Sequence, residues 1–96
     1  MTAYATASKL LIDTNELIVK EIERLEQLRT AYWAAEDEAD KRLIAGGAQR
    51  TSPDFAARVR DLIWTQVDSL KRCQDTIERL RDRALTLREV LYGQED

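Results

Sequence analysis

Residues 59–91 read VRDLIWTQVDSLKRCQDTIERLRDRALTLREVL, and within them apolar or small residues recur at alternating steps of four and three: Val59, Ile63, Gln66, Leu70, Cys73, Ile77, Leu80, Ala84, Leu87, Leu91. One heptad position takes Gln66, Cys73, Leu80 and Leu87, and the other takes Ile63, Leu70, Ile77, Ala84 and Leu91. Sustained over about four heptads, this is the pattern of a coiled-coil seam on one side of a helix, and it requires a second apolar stripe to pack against.

Working back towards the N-terminus, Leu11, Ile18, Leu25 and Tyr32 stand seven apart, with Ile22, Leu28, Ala35, Ala39 and Leu43 between them, so the first half carries a matching helical stripe. Its start is set either by Thr6 or Ser8 as N-cap or by Asp13 with Glu16, a capping-box spacing; the stripe before Asp13 favours a helix from about residue 7 to 44. Ala45-Gly46-Gly47 then offers a glycine C-cap. Ser52-Pro53-Asp54 reads as N-cap, first-turn proline and acid, which predicts a turn over 45–52 and one continuous helix over about 53–92, ended by Gly93. Two long helices with a short connection make an antiparallel hairpin in a single domain spanning residues 1–96. With the turn centred near Ala48, the acidic run from Glu36 to Asp40 falls beside Arg58 and Arg60, and Glu16 opposite Arg79, Arg81 and Arg83.

Off both stripes lie Leu17, Val19, Trp33, Leu62, Trp64 and Val67. A two-helix hairpin cannot bury two tryptophans well, so these residues predict a second apolar face that meets a protein partner, the pair closing into a four-helix bundle; scattered surface hydrophobes are the alternative.

The composition is 44% hydrophobic and 34% charged, with one proline and three glycines, as long helices require. A formal net charge of −3 argues against a general nucleic-acid binder. No stretch of some 18 apolar residues suggests membrane insertion, and no cleavable signal peptide is apparent. The chain has no histidine, one cysteine on the seam, no phosphate-cradling glycine loop and no cysteine-based zinc pattern. Carboxylates follow helix-surface spacing. These features predict no catalytic residue, no metal site and no cofactor, hence no enzyme. Lys9, Ile12, Asp13, Leu17 and Arg24 look distantly similar to the first helix of all-helical chorismate mutases, but the basic cluster due in a middle helix is replaced by acids and then Gly46-Gly47.

A chain of this length with a turn near its middle resembles the small WXG-type proteins of the type VII (ESX) secretion system. At the turn, where that family has Trp-x-Gly, this chain has Ile44-Ala45-Gly46, keeping the glycine without the tryptophan. Phe55-Ala56 and Trp64 stand loosely where the family often shows an Ala-aromatic pair and a second-helix tryptophan. The C-terminus, Tyr92-Gly93-Gln94-Glu95-Asp96, has the Tyr-x-x-x-Asp/Glu spacing of its export signal. The resemblance implies a homodimeric or heterodimeric helical protein, secreted without a cleavable signal peptide, with Tyr92 and Asp96 in the signal and Ile44 and Gly46 in the turn motif. A cytoplasmic adaptor that binds another helical protein is the alternative.

Overall fold

The computed structural model describes residues 2–93. All regular structure among them is helical: α1 spans Ala3–Ala45, α2 Phe55–Leu62 and α3 Trp64–Tyr92. The all-α expectation therefore holds, but three boundaries move.

Helix α1 starts earlier than either cap read from the sequence. Thr2 takes the N-cap role, its Oγ1 accepting the Ala5 N–H at 3.2 Å, and Asp13 and Glu16 lie inside the helix. At the other end, Gly47 N–H donates to the Ile44 carbonyl (3.0 Å) and Ala48 N–H to that of Leu43 (2.9 Å), with Gly47 at φ +96°. This pair of bonds is a Schellman motif, and it settles carbonyls that the helix end would otherwise leave open.

The second boundary is the entry to α2. Ser52 is not an N-cap; its carbonyl accepts the Phe55 N–H at 3.1 Å across a tight turn in which Asp54 has φ −94° and ψ 0°, so the helix begins at Phe55 rather than Pro53. Thirdly, the predicted continuous second helix is two helices. Ile63 stands between them at φ −119° and ψ 19°; its N–H is shared by the Val59 and Arg60 carbonyls, both at 3.2 Å, and Gln66 N–H reaches the Ile63 carbonyl over a three-residue step. The run Ile63-Trp64-Thr65 consists of β-branched and aromatic residues of modest helix propensity, and no glycine or proline announces the break.

Packing divides the chain into two compact units, one of Met1–Arg24 with Cys73–Asp96 and one of Leu25–Arg72. In the first, Ala7 and Thr14 of α1 and Cys73, Ile77, Ala84 and Leu91 of α3 are buried. Thr14, 2% exposed, is the most enclosed side chain described; its hydroxyl donates to the Leu10 carbonyl at 2.6 Å, so its own helix satisfies it and only the methyl group needs an apolar site. Cys73 Sγ lies 3.5 Å from both the carbonyl and the Oε2 of Glu21. In the second unit, Ala39, Val59 and Ile63 form the core, covered by Tyr32, Ala35, Leu43 and Phe55. Ile63 is 3% exposed, and burying such a side chain contributes on the order of 2–3 kcal/mol. The small side chains of Ala35 and Ala39 leave room for α2 to lie against α1. Every seam position from Val59 to Leu91 is buried or half-buried, across the break as well.

Candidate protein-interaction site

With the seam turned inward, the six residues singled out for a second face are all exposed, Trp33 at 63% and Trp64 at 65%. They do not form one set. At 100° per residue, a side chain one position after a seam residue lies on one flank of its helix and a side chain one position before it lies on the other. Val19 follows Ile18 and Trp33 follows Tyr32; within α3, Val67 follows seam residue Gln66 and Trp64 lies one turn before Val67, on the same flank. Leu17 precedes Ile18 and Leu62 precedes Ile63, which puts both on the opposite flank. By helical position the six predicted interface residues thus divide between two flanks, and the exposed Ile12, Leu85 and Tyr92, one position after Leu11, Ala84 and Leu91, stand on the same side of their helices as Val19.

Each unit has an open groove. In the Leu25–Arg72 unit the groove has a volume of about 510 Å³; Trp33, Phe55, Val59 and Ile63 form its apolar part, and Glu36, Asp37, Asp40, Arg50 and Arg60 its rim. Arg50 grips Asp40 with two bonds, Nε to Oδ1 at 3.2 Å and Nη2 to Oδ2 at 2.8 Å, which ties the loop to the end of α1 and raises the guanidinium pKa. Asp37 pairs with Lys41 at 2.9 Å one turn on. The Tyr32 hydroxyl bonds the Glu36 carboxylate, and that bond first, then burial, raises the phenol above its ordinary 10.0. Arg60 shares this rim with the acids of α1, whereas Arg58, predicted beside them as well, does not line it, and the ion pairs found here join Asp40 to Arg50, Asp37 to Lys41 and Asp68 to Arg72.

The groove of the other unit, about 370 Å³, lies between Asn15 and Ile18 of α1 and Ala84 and Leu85 of α3, with Arg81, Asp82 and Arg88 around it. Of the arginines at 79, 81, 83 and 88, Arg81 and Arg88 thus line a groove whose surface is mainly apolar.

The turn residue Ile44 is 40% exposed in the last turn of α1, and Gly46 follows the helix, also exposed. Tyr92 is the last residue of α3; Asp96 lies outside the described residues. Among the described residues no group of three or more Cys, Asp or Glu side chains is placed to hold a metal ion, and no helix is long and apolar enough to cross a membrane. Comparison with protein-family models, with curated proteins and with solved structures finds no match.

Proposed function

We propose that this protein is a non-catalytic helical hairpin that works by binding another helical protein through its tryptophan flank, the two closing into a four-helix bundle. The observation that carries this is the exposure of Trp33 and Trp64 in the Leu25–Arg72 unit, where Trp33 lines a groove with an apolar part and a charged rim. Large aromatic anchors beside partly apolar clefts are what helix-in-groove recognition uses. Co-purification of the full chain with a co-expressed helical partner is expected, and Trp33→Ala with Trp64→Ala is expected to abolish it while circular dichroism stays helical. Retention of the partner by that double variant would refute the assignment of this face.

The resemblance to the WXG-type proteins takes the proposal further: the hairpin is a type VII secretion substrate or co-secreted partner, and Tyr92 with Asp96 belongs to the export signal. Tyr92→Ala and Asp96→Ala should each stop the protein reaching the medium without lowering its amount in the cell; normal export of both variants rules this out. The position of Tyr92 favours a second reading. It follows seam residue Leu91 within α3 and its ring is exposed, open to contact with a partner as a retained cytoplasmic adaptor would need. In that case Tyr92→Ala weakens partner binding and leaves location unchanged.

A further inference from the structure

In the unit of Met1–Arg24 with Cys73–Asp96, the groove between α1 and α3 carries positive charge that the fold does not match. Arg81 and Arg88 line it, and neither enters an ion pair among the described residues. The positions three and four away from Arg88 hold Ala84, Leu85, Leu91 and Tyr92, so no carboxylate stands one turn off on its own helix. Across the groove, α1 contributes the neutral amide of Asn15 and the apolar Ile18; Glu16, which the charge pattern set opposite Arg81, does not line it. Asp82 is left as a single acid against two guanidiniums.

The spacing says what shape of ligand would match that charge. Arg81, Leu85 and Arg88 stand four and then three residues apart, on one stripe of α3, and Leu85 between the arginines is 57% exposed. The two arginine positions lie about 10 Å apart along the helix, which is also the distance between equivalent positions in successive heptads of any helix laid beside it. A mainly apolar channel between two helices, with a guanidinium towards each end, suits a third helix that presents acid, apolar residue and acid in the same order.

We infer that this groove is a second docking surface, for a helix of another protein that bears two carboxylates seven residues apart with an apolar side chain between them. Arg81 and Arg88 each take one carboxylate, which the planar guanidinium accepts with two parallel bonds, and Leu85 with Ile18 meets the apolar side chain. A polyanion such as nucleic acid or an anionic membrane fits less well: the chain carries a net charge of −3, and Asp82 stands in the groove itself. The surface belongs to a different unit from Trp33 and Trp64 and does not depend on their role.

The test is fluorescence anisotropy of labelled helical peptides about three heptads long, titrated with the full-length chain. One peptide has Glu at two positions seven apart with Leu between them, and two others have Gln or Lys in place of both Glu. The Glu peptide should bind about tenfold more tightly than the Lys peptide, with the Gln peptide between. In Arg81→Glu/Arg88→Glu the order should reverse, and tight binding of the Lys peptide by that variant shows that it is folded. Arg79→Glu/Arg83→Glu makes the same change in net charge outside the groove and should keep the original order. Equal binding of the three peptides, no binding of any, an order that Arg81→Glu/Arg88→Glu leaves unchanged, or a reversal by the Arg79 and Arg83 changes as well would each overturn the inference. So would single-stranded DNA or vesicles of pure phosphatidylserine binding more tightly than the Glu peptide at the same salt concentration, since the groove would then be a phosphate site.

Discussion

Gly46 and Gly47 are adjacent in sequence and have different tasks. A Cβ at Gly46 would sit 3.5 Å from the Arg42 and Leu43 carbonyl oxygens, an ordinary contact, and its φ is not positive. Gly47 has open space around it, but φ +96° is a conformation that a side chain opposes through its own backbone. Gly47→Ala should therefore cost about 1 kcal/mol or more and Gly46→Ala well under that, measured by urea denaturation. Equal effects would mean that the Schellman motif does not control the turn. Cys73 permits a second prediction at this scale. Burial first, then the Glu21 carboxylate, raise its thiol above the ordinary 9.0. The folded chain then holds this proton more tightly than the unfolded chain, so the contribution is fully present below pH 9 and is lost as pH rises through the higher folded value. As pH rises above about 9 the native chain should lose more stability than Cys73→Ala does, the shared titration of lysines and tyrosines cancelling in the difference. Equal losses would show that Glu21 and burial leave the thiol unperturbed. In the native fold at neutral pH the same thiol should react slowly with alkylating reagents, since thiolate is scarce and access is closed.

At the scale of elements, α2 is the piece that sequence periodicity could not separate. Its eight residues are too few to persist alone in water, where about 12–15 are marginal even for good helix formers, so α2 exists because Val59 and Ile63 are buried against Ala39. Ala39→Leu places a bulky side chain where an alanine lets α2 lie close, and should cost about 1–3 kcal/mol. Amide hydrogen exchange localises the effect: protection in Phe55–Leu62 should fall first, with Cys73–Leu91 little changed. Uniform loss along α3 would contradict an independently held α2. The seam was legible through this region because the steps of four and three continue from Val59 through Ile63 to Gln66, and all three stay turned inward. The interruption was not, because one residue's departure to φ −119° leaves that spacing intact and no proline or glycine marks it. Thr14 and Glu21 were likewise passed over as stripe positions, because polarity hides a residue whose hydroxyl is satisfied within its own helix or whose backbone and carboxylate meet a thiol.

For the whole molecule, the exposed aromatics provide a direct readout of association. Trp33 and Trp64 are the chain's two tryptophans, and both lie on the flank proposed to bind. Raising protein concentration should shift their emission to the blue as water leaves the indoles, and should raise Tm, because association stabilises only the folded form. Emission and Tm that stay constant from high nanomolar to high micromolar would indicate that the chain alone leaves this flank wet.

The linear order of residues was enough to establish that the chain is helical, that its apolar stripes face inward, and that it turns at Gly46-Gly47, because all three follow from local rules: side-chain period along a helix and the φ that glycine alone takes without strain. Tertiary structure alone decided that helix two divides at Ile63 and that Trp33 lines a groove. It also put Arg81 and Arg88 beside an apolar groove. Those outcomes depend on which side of each helix meets its neighbour and how closely. Periodicity marks the residues that face inward; only packing shows what the residues on either side of them are left to touch.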